Sequence, residues 1–169
     1  MAFQINLARV MRHVIGEDIG RGRAFPAPAL KRIESAIADQ EQRHAGEVRF
    51  AVEGGLSPAR VLSGMTPRQR AEELFAQLRV WDTEHNNGVL IYLLLADHAV
   101  EVVADRGIHA KVGDEAWQTI CEAMQPLLRD GRYEEGVLTG LSLAGQLLER
   151  HFPTAGGRGN ELPDTPIVL

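Results

Sequence analysis

Residues 86–107 have the sequence NNGVLIYLLLADHAVEVVADRG, and this stretch decides the fold. Residues 89–96 form an unbroken apolar run that is too short to span a membrane and rich in strand-forming residues, which predicts a strand buried on both faces. Asp97 and His98 form a polar break before a second apolar run at 99–104. The two runs therefore predict an antiparallel hairpin in the middle of a sheet.

The open end of this hairpin gathers polar residues at one edge of the sheet. Asn86 and Asn87 precede the first strand at the same edge where Asp105 follows the second. We name this edge, which comprises residues 84–88 and 105–107, the rim. If the protein has a functional site, the hairpin geometry predicts it there.

Oxygen-bearing side chains from three loops are predicted to meet near the rim. They are Asp82, Glu84, Asn86, Asn87, Asp105, Asp114 and Glu115. Hard cations bind carboxylate, amide and backbone oxygens of such loops, so this pattern is typical of a calcium or magnesium site. The predicted metal ligands are Glu84, Asn86, Asp105 and Asp114. In the alternative interpretation, Asn87 and Gly88 form a turn, Asp114 caps a helix and the other side chains are solvated.

The charge balance of the rim leaves a second question open. Its carboxylates repel one another unless a cation lies between them, and Arg106 and Lys111 are the cations that the local sequence offers. Either Arg106 folds inward and neutralises the carboxylates, so that the site is closed and metal-free, or it points to solvent and the rim accepts calcium.

A parallel strand is predicted beside the hairpin. Apolar and charged residues alternate over 47–53, which indicates a strand with one buried and one wetter face at a sheet edge. Thr66, Pro67 and Gln69 have the pattern of a capping box at the start of a helix over about 67–80. Such a strand, helix and strand unit is normally right-handed, so strand 47–53 should run parallel to strand 89–96.

Helical periodicity predicts four more helices, over about 5–15, 28–42, 114–130 and 133–152. Glycines and prolines predict irregular segments at 16–28, 107–113 and 154–169. Helices before, between and after the strands indicate an α/β fold, a three-layer α/β/α sandwich with a small mixed sheet. The expected organisation is an N-terminal helix and connector at 1–24, the α/β domain at 25–153 and an irregular C-terminal tail at 154–169.

Composition excludes several functions. The chain has 169 residues with 18 Lys and Arg against 23 Asp and Glu, and it lacks a basic run, so nucleic-acid binding is not expected. The single cysteine, Cys121, excludes disulfides within the chain and zinc sites built on cysteine, and its place on an apolar helix stripe predicts a buried, inert thiol. No phosphate loop or nucleophile motif is present, so no catalytic or cofactor-binding residue is predicted.

The location expected from the sequence is the cytoplasm, because no run has the features of a signal peptide or a membrane span. Residues 5–15 carry apolar side chains at helical spacing with Arg9 and Arg12 between them, which would suit the cytoplasmic face of a membrane. The favoured interpretation is a helix packed on the domain.

Four groups of residues resemble the TPM domain family, sometimes labelled TPM phosphatase. They are Trp81-Asp82-Thr83, Asn87-Gly88-Val89-Leu90, Asp105-Arg106-Gly107-Ile108, and the run GRYEEG at 131–136. The resemblance covers about residues 25–153 and implies an α/β/α sandwich. It also implies calcium binding at the loops around the Asn-Gly turn and weak acid phosphatase activity, as described for some relatives. Other relatives act in membrane-protein maintenance or assembly.

Two departures from the family pattern bear on the rim. Many members have Asp where this chain has Asn86, which removes one anionic ligand, and many have Gly-x-Gly where this chain has Asp105-Arg106-Gly107. Asp105 could restore the lost charge from across the hairpin. The expected function is an interaction or accessory domain with a cation site and an unidentified protein partner, for which the resemblance suggests a membrane protein. The alternative is a weak phosphatase in which a rim-bound cation holds the phosphate and Asp105 acts as base or nucleophile.

Overall fold

The computed structural model describes residues 7–154 and 160–169, and for residues 17–21 it describes the backbone alone. Its elements in chain order are α1 (Leu7–Ala24), α2 (Ala27–Glu41), β1 (Glu47–Glu53), α3 (Pro58–Leu62), α4 (Pro67–Gln77), β2 (Gly88–Leu94), a 3-10 turn (Leu95–Asp97), β3 (Ala99–Ala104), α5 (Arg106–Arg129), α6 (Tyr133–His151) and β4 (Ile167–Val168). Residues 5–6 of the predicted first helix and 155–159 of the predicted tail lie outside the described residues.

The sheet confirms the two strand pairings predicted from the sequence. Its strand order is β3-β2-β1-β4. Strand β1 runs parallel to β2 with Glu47 opposite Gly88, and β2 runs antiparallel to β3 with Val89 opposite Ala104. Every residue of β2 is buried, as expected for a central strand with an unbroken apolar sequence. Strand β2 ends at Leu94, because the 3-10 turn takes the last two residues of the predicted run.

Helices cover both faces of the sheet, which confirms the predicted α/β/α sandwich. On one face, Phe50 and Ile91 pack in a core with residues of α2, α5 and α6. On the other face, Leu90 and Tyr92 pack with residues of α4. A fully buried aliphatic or aromatic side chain contributes roughly 1.5–3 kcal/mol, so the two cores account for most of the favourable energy. The predicted capping box at the start of α4 is present, with Thr66 and Gln69 bonded to each other's backbone.

Strand β1 is not the half-solvated edge strand that its alternating sequence predicts. All seven of its residues are buried, and β4 pairs parallel to it, with Ala51 opposite Ile167. Glu53 is buried because Arg70 Nε donates to its Oε2 at 2.8 Å and the Tyr92 hydroxyl donates to the same oxygen at 2.7 Å. Buried charges are tolerated when they are paired in this way. The C-terminal tail is therefore not irregular throughout, since its last residues extend the sheet.

Two segments predicted to be irregular are helical. Helix α1 continues to Ala24, because it packs tightly on the domain: a Cβ on Gly16 would lie 2.8 Å from the carbonyl oxygen of Gly54. Helix α5 already starts at Arg106, and the non-helical backbone of Gly113, with φ of 73° and ψ of 176°, divides it into two helical segments, of which the second begins at the predicted position 114. The predicted loop at 107–113 was wrong because Asp105 already caps the helix.

Helix α1 is fixed to the domain by a buried polar contact. The side chain of His13 is fully buried; its Nδ1 accepts from Leu56 N–H at 2.8 Å and its Nε2 lies 3.1 Å from Asp97 Oδ1. Arg9 Nη2 donates to Asp97 Oδ2 at 2.8 Å. These contacts confirm a helix packed on the domain. Among the described residues, no helix is both long enough and apolar enough to cross a membrane.

Candidate cation site at the rim

Asp105 connects β3 to α5 and is largely buried. Its N–H donates to the carbonyl oxygen of Gly88 at 2.9 Å, and its Oδ1 accepts from Arg106 N–H at 2.7 Å. The residue is only 9% exposed, and its Oδ2 is buried without a hydrogen-bond partner. A buried carboxylate oxygen without a partner is costly, so this atom indicates a position where a donor or a cation belongs.

Asn87 has a second buried side-chain oxygen without a hydrogen-bond partner at the same edge of the sheet. The residue is 0% exposed; its N–H donates to Thr83 Oγ1 at 3.1 Å and its Nδ2 donates to the carbonyl oxygen of Ala45 at 2.9 Å. The contact with Ala45 fixes the orientation of the amide. The remaining atom, Oδ1, is buried without a partner. We call these two atoms, Asp105 Oδ2 and Asn87 Oδ1, the orphan oxygens. Asp105 forms a backbone hydrogen bond with Gly88, and Asn87 directly precedes Gly88, so both residues lie at the open end of the hairpin.

The rim is held in place by close backbone approaches. A Cβ on Gly107 would lie 2.5 Å from the carbonyl oxygens of both His85 and Asn86. The carbonyl oxygen of Asn86 accepts from Ile108 N–H at 3.2 Å, and Asn86 itself has a positive φ of 52°. The glycine at position 107 is thus needed for the two halves of the rim to meet. This geometry also brings backbone carbonyl oxygens to the candidate site.

Arg106 is exposed, and its guanidinium contacts an amide of the rim and not a carboxylate. Its Nε donates to Asn86 Oδ1 at 3.1 Å. The guanidinium thereby engages the side-chain oxygen that was predicted to ligate a cation. Asn86 and Asp105 are brought together as predicted, but Asn86 offers its side-chain oxygen only if Arg106 moves.

Of the other two predicted ligands, one lies at the start of the rim and one outside it. The Glu84 N–H donates to Glu161 Oε2 at 3.0 Å, so Glu84 begins the rim against the C-terminal segment 160–169. Asp114 lies beyond the Gly113 interruption in α5, and its side chain is 97% exposed with His109 Nε2 at 3.7 Å. The structure therefore separates Asp114 from the rim.

Two residues at the rim, Asn87 and Glu161, were not among the predicted metal ligands. Asn87 directly precedes a strand that is buried on both faces, and this position could have indicated that its amide is buried. Glu161 reaches the rim from the C-terminal segment, where its N–H donates to Glu47 Oε1 at 3.1 Å. The separation of Glu47 and Glu161 in the sequence gives no local pattern from which this contact could be predicted.

The donor atoms present fit a hard cation better than a transition metal. In the described part of the chain, no group of three or more His, Cys, Asp or Glu residues is arranged to hold a metal ion. What the rim offers is the Asp105 carboxylate, the Asn87 amide and loop carbonyl oxygens, which are ligand types for calcium and magnesium. With a single carboxylate in the set, binding should be weak.

A group of buried charges adjoins the rim at the start of β1. Burial raises the pKa of Glu41 to about 9 and also raises the pKa of Glu47. Burial lowers the pKa of Arg49, although the nearby carboxylates of Asp164, Glu41 and Glu47 raise it, and Arg49 Nε and Nη1 have no hydrogen-bond partner. Since Glu41 is protonated at neutral pH, this group carries less negative charge than its sequence suggests.

The fold and the rim together define an α/β/α domain whose central hairpin opens onto an oxygen-lined edge. The chain belongs to the TPM domain family, whose sequence model matches residues 24–147. This confirms the resemblance found in the sequence.

Two solved structures are similar over most of the chain. The NMR structure of the BA42 protein from the psychrophilic bacterium Bizionia argentinensis is 30% identical, with a TM-score of 0.76, and the match covers 86% of this chain and 95% of BA42. The N-terminal domain of a P. gingivalis protein is 19% identical, with a TM-score of 0.61 and coverage of 85% and 89%, and it shows the shared fold alone. No curated protein sequence matches the chain.

Proposed function

We propose that the protein is an interaction domain whose rim binds a divalent cation, calcium or magnesium, through Asp105 and Asn87. The observation that supports this is the pair of orphan oxygens, Asp105 Oδ2 and Asn87 Oδ1, each buried at the same edge of the sheet without a hydrogen-bond partner. A cation there compensates for the desolvation of both oxygens. Asn87 takes the place of Asn86 in the ligand set, because Asn86 Oδ1 is engaged by Arg106.

The cation connects parts of the chain that a partner would contact. The rim loop 84–88 touches the C-terminal segment through Glu84 and Glu161, and β3 leads directly into Asp105. Ion binding would thus order the rim loop, the start of α5 and the C-terminal segment together. The partner is an unidentified protein, and the roles described for some relatives in membrane-protein maintenance favour a membrane protein.

Calorimetric titration of calcium tests the site. We expect the wild type to bind with a dissociation constant of roughly 10⁻⁴–10⁻³ M, the range of low-charge calcium modules. Asp105→Asn should abolish detectable binding while leaving α5 intact, because Asn caps a helix as well as Asp does. Asp114→Asn removes the same charge from an exposed position and should leave the affinity unchanged. Equal affinity in wild type and Asp105→Asn, or loss of binding in Asp114→Asn, would overturn the proposal.

A second pair of variants tests the role of Arg106. Asn86→Asp adds a carboxylate, but Arg106 lies against it and should hold it as an ion pair. We expect this change alone to alter calcium affinity little, and the double variant Asn86→Asp with Arg106→Gln to bind about tenfold more tightly than wild type. Affinity unchanged in the double variant would show that position 86 does not reach the ion.

A further inference from the structure

A cleft of about 340 Å³ lies along the outer side of β3. Its lining includes Arg68 of α4, Val100, Val102 and Ala104 of β3, and Trp117 and Cys121 of α5. Because β3 is the last strand on its side of the sheet, this cleft follows a sheet edge. The edge lies between two helices that pack on opposite faces of the sheet.

The backbone of β3 presents hydrogen-bonding groups to this cleft. In an antiparallel ladder, alternate residues bond to the partner strand and the residues between them face outward. Since Asp105 N–H bonds to Gly88, the outward residues of β3 are Val100, Val102 and Ala104. The Val102 carbonyl oxygen accepts from Arg68 Nη1 at 2.7 Å, and the Val102 backbone faces the Cys121 thiol. Within the described chain, the outward groups of Val100 and Ala104 have no such partner.

The α5 wall of the cleft includes Trp117, whose indole N–H is buried and unpartnered. Trp117 is only 6% exposed, and its Nε1 has no hydrogen-bond partner. A buried indole N–H usually finds an acceptor, so a ligand carbonyl that reaches Trp117 Nε1 would satisfy this donor. Burial raises the pKa of the Cys121 thiol to about 11, so Cys121 is a neutral and nearly apolar neighbour at physiological pH.

The opposite wall and the mouth of the cleft carry excess negative charge. Arg68 Nε lies 2.8 Å from a Glu72 carboxylate oxygen, and Arg68 Nη1 lies 3.8 Å from Glu101. Asp114 adds an exposed carboxylate at the mouth, with His109 as its neighbour. Arg68 thus faces two carboxylates and Asp114 adds a third at the mouth, which favours basic side chains in a ligand.

We propose that this cleft binds an extended peptide of a partner protein as a fifth strand alongside β3. An extended backbone has the two-residue period needed to pair with the outward groups of Val100 and Ala104, which flank the Val102 backbone that Arg68 and Cys121 already contact. One side of such a peptide would place apolar residues against Trp117 and Cys121, and the other would place basic residues near Glu101. The peptide is therefore of alternating apolar and basic character. This inference rests on the proposed interaction function for the existence of a partner, but it does not rest on the cation.

Selection from a displayed library of random nonapeptides, carried out in EDTA, tests the proposal. Wild type should enrich peptides with alternating apolar and basic residues. Ala104→Pro removes an N–H that faces away from β2, so the β2–β3 ladder is retained while an enriched peptide should bind at least tenfold more weakly. Ala104→Ser keeps the N–H and should bind as wild type does. No enrichment, or equal binding by Ala104→Pro, would overturn the proposal.

A second readout applies even if Ala104→Pro does not fold. In the ¹H–¹⁵N spectrum the peptide should shift the indole N–H signal of Trp117 and leave that of Trp81 unchanged. Trp117→Phe should weaken binding about two- to tenfold, the range for one hydrogen bond, while Trp81→Phe should have no effect. Shifts at Trp81 alone would contradict the assignment. Because EDTA removes the cation, peptide binding can succeed when the calcium titration fails, and the two proposals are tested separately.

Discussion

At the scale of single residues, Gly88 sets the position of the rim. A Cβ on Gly88 would lie 1.9 Å from the carbonyl oxygen of Val80, and this backbone cannot move without disturbing the segment between α4 and β2. The next residue back, Asn87, is thereby held with its amide against Ala45. The close approach of Gly88 to Val80 therefore positions the candidate ligand Asn87.

Gly88→Ala should lower the free energy of unfolding by about 1–3 kcal/mol, the cost of overpacking a tight site. Gly22→Ala is the matched control, because a Cβ there meets nothing within 4 Å and Gly22 lies in α1. The control should raise stability by about 0.5–1 kcal/mol, since alanine favours helix more than glycine does. Urea unfolding of both variants measures the difference. Similar effects in the two variants would show that the approach of Gly88 to Val80 does not constrain the fold.

The sequence predicted Asp105 at the rim, but the amide that we propose as a ligand, Asn87, is one residue after the predicted one, Asn86. Both asparagines precede β2, and no residue pattern separates an amide engaged by Arg106 from one buried beneath the sheet edge. The distinction depends on the contact of Asn87 with Ala45, which lies 42 residues away in the sequence. Such tertiary contacts override local pattern and could not be predicted from it.

At the scale of elements, local signals predicted a helix boundary well where the hydrogen bonds that set it are themselves local. The capping box at Thr66 and Gln69 specified the start of α4, because both hydrogen bonds are local. The glycines and prolines of the segment 16–28 predicted an irregular connector, but α1 continues to Ala24, and Gly16 packs closely against Gly54. Strand β1 appeared half-solvated because its charged partners, Arg70 and the C-terminal segment, lie far away in the sequence.

The junction of α2, β1 and the C-terminal segment should make stability depend on pH. Burial raises the pKa of Glu41 to about 9, so the native state favours the protonated acid. The stabilisation is complete below the unfolded pKa of about 4.5 and is lost as the pH rises towards 9, with a slope of up to about 1.4 kcal/mol per pH unit. The charged groups facing Glu41 are Glu47, Arg49 and Asp164, and the Val48 N–H donates to its Oε1 at 3.0 Å.

Glu41→Gln resembles the protonated acid and keeps an acceptor for the Val48 N–H. We expect the variant to match wild type near pH 4.5 and to be more stable than wild type near pH 8. Glu115→Gln, at an exposed helix position, should follow the wild-type profile. Urea unfolding at several pH values gives the three curves. Parallel curves for wild type and Glu41→Gln would contradict the assignment of a buried, protonated carboxyl group.

At the scale of the whole molecule, the sheet connects the two proposed binding regions. The rim lies where β2 begins and β3 ends, and the peptide cleft follows the outer edge of β3. The three layers and the strand pairings were predictable because they depend on hydrophobic period and chain connectivity. The fourth strand was not, since the two residues of β4 have no pattern that distinguishes them from an irregular tail.

The proposed interaction function also predicts that the protein lacks specific phosphatase activity. Purified protein should hydrolyse an aryl phosphate no faster than Asp105→Asn does, with or without a divalent ion, because binding alone needs no nucleophile. Activity that requires the ion and is lost in Asp105→Asn would favour the phosphatase alternative.

The central claim is that a divalent cation binds at the rim through Asp105 and Asn87. A calcium titration followed in ¹H–¹⁵N spectra tests it most directly, because each amide reports its own surroundings. We predict that the signals of residues 86–88 and 105–107 and the side-chain amide of Asn87 shift together with one dissociation constant. The amides near Asp114 and Trp117 should remain unchanged. Shifts centred on 113–121, or no shifts at millimolar calcium, would contradict the account.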